Sequence, residues 1–373
     1  MLAGRWAYIV RTWGAAVLRP YTFRGQAGGM TIALIEFVER GGVFTRAQAE
    51  AVMEQLLSGA YETPEILRLL VAMNARSVDV AELTGFATVM RKFAARVFAE
   101  DETRPLQMVD TCGTGGDGFD AFNVSTAAAI VASAAGARVA KHGNRAASSR
   151  SGSADVLEEL GVRIDLPLMT MGRAIRELKI GFLFAPAAHS ATRHASPARK
   201  QIGARTVFNL LGPLTNPAGA QAQVMGVFSA DAIDLVAATL AEIGVERALV
   251  VHGAGGLDEI SLCGETMIAD VERGFVTRYT VVPEDFEVTE APLEAIRGGS
   301  PADNAAMIRA IFEGEGGARR DVVVMNAAAA LVAAGVAENF AEGARLAQTA
   351  IDSGAAREKL KALVEFTRAA SGS

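Results

Sequence analysis

The sequence predicts a small all-α domain followed by a larger α/β domain with a mostly parallel sheet. From residue 31 to about residue 100, apolar side chains recur at helical spacing and no strand-like run interrupts them. Near residue 106 the period changes, and short apolar runs then alternate with helical segments along the rest of the chain. Alternation of this kind is typical of parallel strands covered by helices.

Length and composition exclude several classes of protein. With 373 residues, 50% hydrophobic and 21% charged, the chain can bury a sizeable core and is not disordered overall. Its 36 basic and 42 acidic residues argue against a dedicated nucleic-acid binder. Cys112 and Cys263 are the only cysteines, which supports neither a disulfide framework nor a cysteine zinc site and favours a cytoplasmic protein. No apolar run reaches the ~18 residues of a membrane-spanning helix, so we expect no membrane partner.

Residues 1–30 differ from the rest of the chain. They carry the arginines Arg5, Arg11, Arg19 and Arg24 and no acidic residue. Such a start can resemble an organelle transit peptide, but a clean apolar stretch with a small-residue cleavage site is missing. We therefore expect a loose extension or a true start at Met30, with no catalytic residue before it.

Helix start signals occur twice in the region 31–99. Thr45 and Gln48 have the spacing of a capping box, and Thr63 before Pro64 predicts an N-cap followed by an N1 proline. A further helix is predicted over residues 79–98. Short amphipathic helices of this kind must pack on one another and on a neighbouring element.

The α/β region begins with a βαβ unit. Its parts are a strand at 106–109, a helix at 126–135 and a strand at 137–140. Further strands are predicted at 181–184, 224–228, 248–251 and 275–281, and further helices near 166–177, 231–242 and 303–368.

A glycine-rich loop follows the first predicted strand. Residues 113–118 fit the pattern G-x-G-x-x-G, so a dinucleotide site has to be considered. Residues 119–122 intervene before the helix, however, and the next strand ends in Lys141 rather than in an acidic residue for the ribose. Backbone N–H groups of the loop, with polar residues at the start of the helix, suit a phosphate instead. A plain glycine turn is the alternative.

A second polar loop follows the next strand, over residues 141–153. It carries three cations and a cluster of hydroxyls at the carboxyl end of a strand, which is where ligands bind in open α/β sheets. Ser151 or Ser153 can alternatively serve only as the N-cap of the following helix. Together the two loops predict a ligand with more than one phosphate.

Asp258 and Glu259 follow the strand at 248–251. Adjacent carboxylates on a loop are usually just solvated, but Mg²⁺ commonly bridges one or two carboxylates to phosphate oxygens. The chain has four histidines, at 142, 189, 194 and 252, and their spacing matches no zinc motif. The sequence therefore favours a magnesium–phosphate site over a zinc enzyme.

Six motifs carry a resemblance to a known family. They are GTGGD at 113–117, NVST at 123–126, KHGNR at 141–145, SGSADVLE at 151–158, RTVFNLLGPLTNP at 205–217 and VHGAGGLDE at 251–259. GTGGD also occurs in pyrimidine nucleoside phosphorylases of the same fold superfamily, whereas KHGNR with RTVFNLLGPLTNP is more specific. From about residue 31 to the C-terminal helices, the chain resembles the anthranilate phosphoribosyltransferases of tryptophan biosynthesis.

The resemblance implies a two-domain fold of the nucleoside phosphorylase/phosphoribosyltransferase (class III) type. The helical domain would comprise residues 31–100, joined by helices near 190–213, and would form a homodimer. The α/β domain would comprise residues 104–189 and 214–373. The implied reaction transfers the phosphoribosyl group of phosphoribosyl pyrophosphate to anthranilate with two Mg²⁺ ions.

The resemblance also implies which residues contact each ligand. Phosphoribosyl pyrophosphate would be held by Gly113, Gly116, Asp117, Ala121, Asn123, Val124, Ser125, Thr126, Lys141, His142, Gly143, Asn144, Arg145, Ala146, Ala147, Ser148, Ser149 and Ser153. Anthranilate would contact Gly113, Asn144 and Arg199, and Mg²⁺ would be held by Ser125, Asp258 and Glu259. Ala121 stands where many relatives have Thr, so we expect one donor to the phosphoribosyl group to be missing.

Arg199 suits a planar carboxylate because a guanidinium donates two parallel charge-assisted hydrogen bonds. A charge on a helix surface is the alternative interpretation of this residue. We expect displacement at the anomeric carbon through an oxocarbenium-like transition state, as at other glycosidic centres. An aromatic amine is neutral at pH 7, so neither a strong general base nor a protein nucleophile is expected.

Two other functions remain open at this level. A pyrimidine nucleoside phosphorylase would use free phosphate and need no magnesium pair, which Asp258 and Glu259 argue against. A catalytically silent paralogue that binds nucleic acid would carry a basic face and degraded motifs, whereas this chain has a net charge of −6.

Overall fold

The computed structural model describes residues 27–99, 107–115, 118–146 and 149–370. Most of the predicted extension therefore lies outside the described residues, as does the start of the strand predicted at 106–109. The first helix, α1 (Ala27–Glu39), already begins before the predicted boundary at residue 31.

Three further helices follow α1 in the helical region: α2 (Arg46–Leu57), α3 (Thr63–Asn74) and α4 (Val80–Phe93). The capping box of α2 is confirmed, because Gln48 N donates to Thr45 Oγ1 at 3.3 Å and Thr45 N donates to Gln48 Oε1 at 2.9 Å. The prediction of Thr63 as N-cap is wrong, because Glu62 holds that position and its N–H donates to Glu65 at 2.8 Å.

The helix predicted over 79–98 ends earlier than expected, at Phe93. Ala94 adopts an extended conformation, and Ala95 N donates to Ala188 O at 2.8 Å. A hydrogen bond to another segment thus replaces the next helical bond, and the periodic pattern alone does not reveal it.

The remaining elements confirm the alternation of strands and helices. They are β1 (Val109–Gly113), α5 (Val124–Ala134), β2 (Val139–Gly143), α6 (Ser153–Glu159), α7 (Leu168–Leu178), β3 (Ile180–Phe184), α8 (Ala185–Ala188), α9 (Ser196–Ile202), α10 (Val207–Leu214), β4 (Ala222–Gly226), α11 (Ala232–Glu242), β5 (Arg247–Gly253), β6 (Thr266–Glu272), β7 (Phe275–Val281), α12 (Pro301–Phe312), α13 (Ala318–Ala333), α14 (Phe340–Asp352) and α15 (Ala355–Ala370). The sequence did not predict β6, and the helical block at 303–368 divides into α12 to α15.

In the described part of the chain the strands form one seven-stranded sheet in the order β3-β2-β1-β4-β5-β6-β7. The pairs from β3 to β5 are parallel, whereas β6 and β7 add antiparallel pairs at one edge. The carboxyl ends of β1, β2, β4 and β5 therefore meet at the same edge of the sheet. Each of the predicted polar loops follows one of these strands.

Two of the three hydrophobic clusters among the described residues lie on opposite faces of the sheet, because side chains alternate along each strand. Leu249 of β5 packs in the core beneath α5 and α13. Its neighbour Val250 packs in the core that contains Phe44 and Phe86 of the helical region. Burying an apolar side chain of this size stabilises a fold by about 1.5–3 kcal/mol, so the shared core fixes the helical region against the sheet.

Helix α10 connects the two regions, because it packs against α4 and its Pro213 carbonyl accepts from Gln223 Nε2 of β4 at 2.7 Å, while α9 packs against α3. Arg91 of α4 also donates to the Leu214 carbonyl at 2.8 Å, at the end of α10. Within the described ranges, no helix combines the length and apolar character needed to cross a membrane.

Candidate active site

A cavity of about 330 Å³ opens at the carboxyl ends of β1, β2 and β5. Most of the predicted site residues line it, namely Gly113, Ala121, Asn123, Val124, Ser125, Thr126, Lys141, His142, Gly143, Asn144, Arg145, Ala146, Ser149, Ser153, Asp258 and Glu259. Gly116, Asp117, Ala147 and Ser148 lie outside the described residues. The strand-end loops, which are far apart in the chain, thus come together around one space.

The N-terminus of α5 points into this cavity. Asn123 is its N-cap residue, and the helix begins at Val124. Ser125 N donates to Glu259 Oε1 at 3.2 Å, so a carboxylate already interacts with the first turn. A helix N-terminus attracts anions through its unpaired N–H groups and its dipole, which is the property that a phosphate site uses.

Lys141 places a buried cation at the cavity, with only 4% of the residue exposed. Its Nζ donates to the Thr111 carbonyl at 2.6 Å and lies 3.3 Å from Ser125 Oγ. Burial lowers the pKa of Lys141, while the negative charges of Asp110 and Glu259 oppose that shift. The side chain is therefore fixed in place before any ligand arrives.

Asp258 and Glu259 are held by backbone N–H groups of the loop after β1 and of α5. Asp258 Oδ2 accepts a hydrogen bond from Gly115 N at 2.7 Å. Gly226 allows this approach, because a Cβ atom there would collide with the Asp258 carbonyl. A Cβ atom on Gly113 would likewise collide with the Asp258 carboxylate. The close approach of Asp258 thus explains why β1 and β4 both end in glycine.

The donor set at this point fits Mg²⁺. Two carboxylates with the hydroxyl of Ser125 offer only oxygen atoms, which is what a hard divalent cation prefers. Among the described residues, no group of three or more His, Cys, Asp or Glu side chains is arranged to hold a metal ion. A cation bound here would take further oxygens from a substrate or from water, as Mg²⁺ commonly does.

The second polar loop is tied to α6 and to α5. Asp155 Oδ2 accepts from Ala146 N at 2.8 Å and from Gly152 N at 2.9 Å. Gly152 is the N-cap of α6, so the alternative prediction that Ser151 or Ser153 serves only as that cap is wrong. Both serines instead hydrogen-bond to cavity residues, Ser153 Oγ to Asn144 N and Ser151 Oγ to Asn123 Oδ1.

Arg145 is paired with two carboxylates of α6. Its guanidinium donates to Asp155 Oδ1 at 3.0 Å and to Glu158 Oε1 at 2.9 Å. These hydrogen bonds to Glu158 and Asp155 raise the pKa of Arg145. The arginine lines the cavity and carries a permanent charge.

His142, which lines the cavity, is buried together with His189 and Asp110. The rings of His142 and His189 meet edge to face with centroids 5.1 Å apart. Burial lowers the pKa of His142 to about 3 and that of His189 to about 4, so both rings are neutral at pH 7. Asp110 accepts from His142 N at 3.0 Å, and burial raises the pKa of its carboxyl to about 6.

Arg199 is not among the described residues that line the cavity. It lies on α9 with its guanidinium 5.1 Å from the centre of the Phe208 ring, and burial lowers its pKa. Arg205 and Asn209, by contrast, do line the cavity, and neither was assigned a role from the sequence. Both belong to the motif at 205–217. The sequence therefore marked this segment, but it could not show that these two side chains reach the cavity.

Fold and cavity together define a glycosyl transferase with a separate helical bundle. Residues 106–357 match the model of the glycosyl transferase family α/β domain, and residues 32–94 match the model of the helical bundle domain of the same family. The match covers both regions that form the shared core.

Individual relatives narrow this class. The chain is 50% identical over 335 residues to an anthranilate phosphoribosyltransferase of Symbiobacterium thermophilum, covering 90% of this chain and 97% of that protein. It is 52% identical over 333 residues to one of Pelotomaculum thermopropionicum, covering 89% and 95%. The crystal structure of the Thermus thermophilus enzyme superposes with a TM-score of 0.84 at 44% identity, covering 90% of this chain and 99% of that one. The chain therefore belongs to the anthranilate phosphoribosyltransferase family.

Proposed function

We propose that this protein transfers the phosphoribosyl group of phosphoribosyl pyrophosphate to anthranilate. The products are N-(5-phosphoribosyl)anthranilate and pyrophosphate, and the reaction is the second step of tryptophan biosynthesis. The observation that carries the proposal is the cavity, where the buried Lys141, the N-terminus of α5 and the carboxylates of Asp258 and Glu259 converge. This combination suits a diphosphate bound with Mg²⁺.

The donor would be held by the loops after β1 and β2. Backbone N–H groups at the start of α5 and the hydroxyls of Ser125 and Thr126 suit its phosphates. Lys141, whose Nζ lies 3.3 Å from Ser125 Oγ, and Arg145 add positive charge to the cavity lining. The site residues outside the described ranges, Gly116, Asp117, Ala147 and Ser148, belong to the same two loops and are proposed to contact the donor as well.

The metal would be held by Asp258, Glu259 and Ser125, and we propose two Mg²⁺ ions. When bound, Mg²⁺ supplies positive charge that stabilises the leaving pyrophosphate. The donor set described above supports this assignment. A structure of the Saccharomyces cerevisiae enzyme, 24% identical with a TM-score of 0.83, is described as a complex with phosphoribosyl pyrophosphate and Mg.

The reaction is a displacement at the anomeric carbon of the ribose. The amine nitrogen of anthranilate forms the new bond to this carbon, the bond to the pyrophosphate oxygen breaks, and the nitrogen then releases a proton to solvent. Lys141 stabilises the negative charge that pyrophosphate gains in the transition state. Because the amine is already neutral, the residues act chiefly by positioning both substrates and by fixed charge.

Anthranilate is proposed to contact Gly113, Asn144 and Arg199. Gly113 and Asn144 line the cavity. Arg199 lies on α9 and stacks on Phe208, which directly precedes the cavity residue Asn209. A guanidinium next to this part of the cavity wall suits the planar carboxylate of the acceptor.

We further propose a cytoplasmic homodimer with the domain boundaries given above. Cys112 and Cys263 are both free thiols, which suits a reducing compartment. Ile32 of α1 and Val71 of α3 are 46% and 52% exposed, and apolar side chains of this kind on the helical region support an interface between two copies.

The proposed function is tested by following the fluorescence of anthranilate in the presence of phosphoribosyl pyrophosphate and Mg²⁺. We expect the signal to disappear only when enzyme, donor and metal are all present. Folded protein that leaves anthranilate unchanged under these conditions would contradict the proposal.

The metal assignment is tested by the double variant Asp258→Asn/Glu259→Gln. Replacing both carboxylates removes the negative charge that holds the cation, so we expect the Mg²⁺ concentration for half-maximal activity to rise about tenfold or more. Asp165→Asn is the matched control, because Asp165 is an exposed carboxylate paired with Arg163. Identical Mg²⁺ titrations of the double variant and the control would exclude the pair as ligands.

A further inference from the structure

Asn304 is a buried polar residue that contacts the cavity residue Asn123 from outside the cavity. It lies in the first turn of α12 with 1% of its surface exposed, and it is not among the described residues that line the cavity. Its Nδ2 donates to Asn123 Oδ1 at 2.9 Å, and its Oδ1 accepts from Gly299 N at 2.7 Å. Both ends of its side-chain amide are therefore satisfied, one of them by a cavity residue.

The Asn123 side chain is fixed from two directions. Its Oδ1 accepts from Asn304 Nδ2 and also from Ser151 Oγ at 2.9 Å, and its Nδ2 donates to the Ser151 carbonyl at 3.1 Å. These bonds join three segments that are far apart in the chain. Asn123 thus has a single side-chain orientation, set by α12 and by the loop before α6.

This orientation has a consequence for the N-terminus of α5. An asparagine at an N-cap ordinarily accepts a hydrogen bond from an N–H group of its own helix. In the described structure the side chain of Asn123 makes no such capping bond. Its oxygen is turned toward Asn304 and Ser151 instead, and the first-turn N–H groups have other partners: Ser125 N donates to Glu259 Oε1 at 3.2 Å and Thr126 N to the Asn123 carbonyl at 3.2 Å. The side-chain amide of Asn123 is therefore a separate part of the cavity wall, held apart from the end of the helix.

The backbone around Asn123 is braced by the same part of the chain. Phe122 N donates to the Ile296 carbonyl at 3.1 Å, and Gly298 N donates to the Asp120 carbonyl at 2.9 Å. A Cβ atom on Gly298 would lie 2.8 Å from backbone atoms of Phe122, so only glycine permits this pairing without displacement. Residues 296–304 therefore run along the loop that leads into α5.

We propose that Asn304 is a positioning residue for the donor, acting by holding the side-chain amide of Asn123 in one orientation in the cavity wall. This role rests on the proposed function for its substrate, phosphoribosyl pyrophosphate. Without the Asn304 donor, the Asn123 oxygen keeps only the hydrogen bond from Ser151 Oγ, so the amide is held less firmly in the orientation in which it meets the donor.

The variant Asn304→Asp tests this role directly. A carboxylate at this position still accepts from Gly299 N but no longer donates to Asn123. We expect the dissociation constant and the KM for phosphoribosyl pyrophosphate to rise about five- to thirtyfold, the usual consequence of losing one buried hydrogen bond. We expect the KM for anthranilate and the kcat at saturating donor to change less than twofold.

Ser300→Ala is the matched control for helix stability. Ser300 Oγ accepts from Asp303 N at 3.2 Å as the N-cap of α12, close to Asn304 but without contact to Asn123 in the described hydrogen bonds. Losing this cap should lower the Tm by about 2–4 °C while the donor KM stays unchanged. A donor KM that rises equally in both variants would show that Asn304 acts only through the stability of α12.

A double-mutant cycle with Asn123→Ala, measured by calorimetric titration with phosphoribosyl pyrophosphate and Mg²⁺, separates the proposal from general damage. If Asn304 acts through Asn123, the change at 304 should alter donor affinity less than twofold in the Asn123→Ala background.

A second variant, Ser151→Ala, removes the other donor to Asn123 Oδ1 and should weaken donor binding in the same direction. An additive cycle, or unchanged donor binding in both Asn304→Asp and Ser151→Ala, would overturn the proposal. Because titration needs no acceptor, an enzyme that binds the donor but does not consume anthranilate would refute the proposed function and not the role of Asn304.

Discussion

The donor side and the acceptor side of the cavity are built in different ways. On the donor side, Lys141, Ser125 and Glu259 are linked by hydrogen bonds or short contacts and lie at the ends of paired strands or on α5. On the acceptor side, Arg199 lies on α9, outside the cavity wall, and stacks on Phe208. The donor side is thus organised in the protein alone, whereas the acceptor side depends on short helices between the two regions.

The sheet explains this difference. Parallel register fixes where β1, β2, β4 and β5 end, so the loops that follow them inherit a defined geometry. Helices α9 and α10 have no such register and are placed by packing against α3 and α4. A site divided in this way can hold the charged diphosphate rigidly and adjust around a small aromatic acid.

Replacing the buried Lys141 on the donor side should have the largest effect on catalysis. Lys141→Met keeps the length of the side chain and deletes its charge, so the pyrophosphate loses a fixed counter-charge in the transition state. We expect kcat/KM to fall about a hundred- to a thousandfold, the usual cost of losing one preorganised electrostatic contact. Steady-state kinetics measure this loss, with Lys92→Met, a surface lysine paired with Glu54, as the control. A variant that is folded and fully active would remove Lys141 from the mechanism.

The acceptor side is tested by Arg199→Ala. Losing a charge-assisted contact to the anthranilate carboxylate should raise the KM for anthranilate about ten- to a hundredfold, which corresponds to roughly 1.5–3 kcal/mol. Arg199→Lys should recover only part of the loss, because an ammonium cannot donate two parallel bonds. If the KM for anthranilate stays at the wild-type value in the alanine variant, Arg199 has no contact with the acceptor.

The two buried histidines, His142 and His189, predict a smaller effect, on stability rather than on rate. The folded-state pKa of His189 is about 4, below the ordinary value of about 6.5, so its contribution is present above pH 6.5 and is lost as the pH falls toward 4. Between pH 7 and pH 5 this amounts to about 2 kcal/mol of unfolding free energy. Urea unfolding at both pH values should show that His189→Gln loses less stability than the wild type on acidification. Equal losses in the two proteins would contradict the assignment of a neutral buried ring.

Much of the donor side was predictable because local rules and chain order agree there. The βαβ unit, the polar loop after β2 and the carboxylates after β5 all follow from strand ends in a parallel sheet. The capping box at Thr45 is equally local. Strand β6 was missed because its seven residues show neither a continuous apolar run nor a regular alternation: Ile268 and Ala269 are both buried, and Asp270 and Glu272 interrupt the apolar residues.

The remaining features depend on contacts between distant parts of the chain. Asn304 lies 181 residues from Asn123 in the sequence, and no periodicity or spacing relates them. Serine is a residue type typical of an N-cap. In the folded protein, however, the hydroxyls of Ser151 and Ser153 form hydrogen bonds with Asn123 and Asn144. Arg205 and Asn209 reach the cavity only because α10 packs between the two regions.

The most direct test of the difference between the two sides is donor binding without acceptor. Calorimetric titration of phosphoribosyl pyrophosphate with Mg²⁺ should give the same dissociation constant for the wild type and for Arg199→Ala, and a value at least about tenfold weaker for Lys141→Met. If Arg199→Ala weakened donor binding as much as Lys141→Met, the donor side would not be organised independently of the acceptor side.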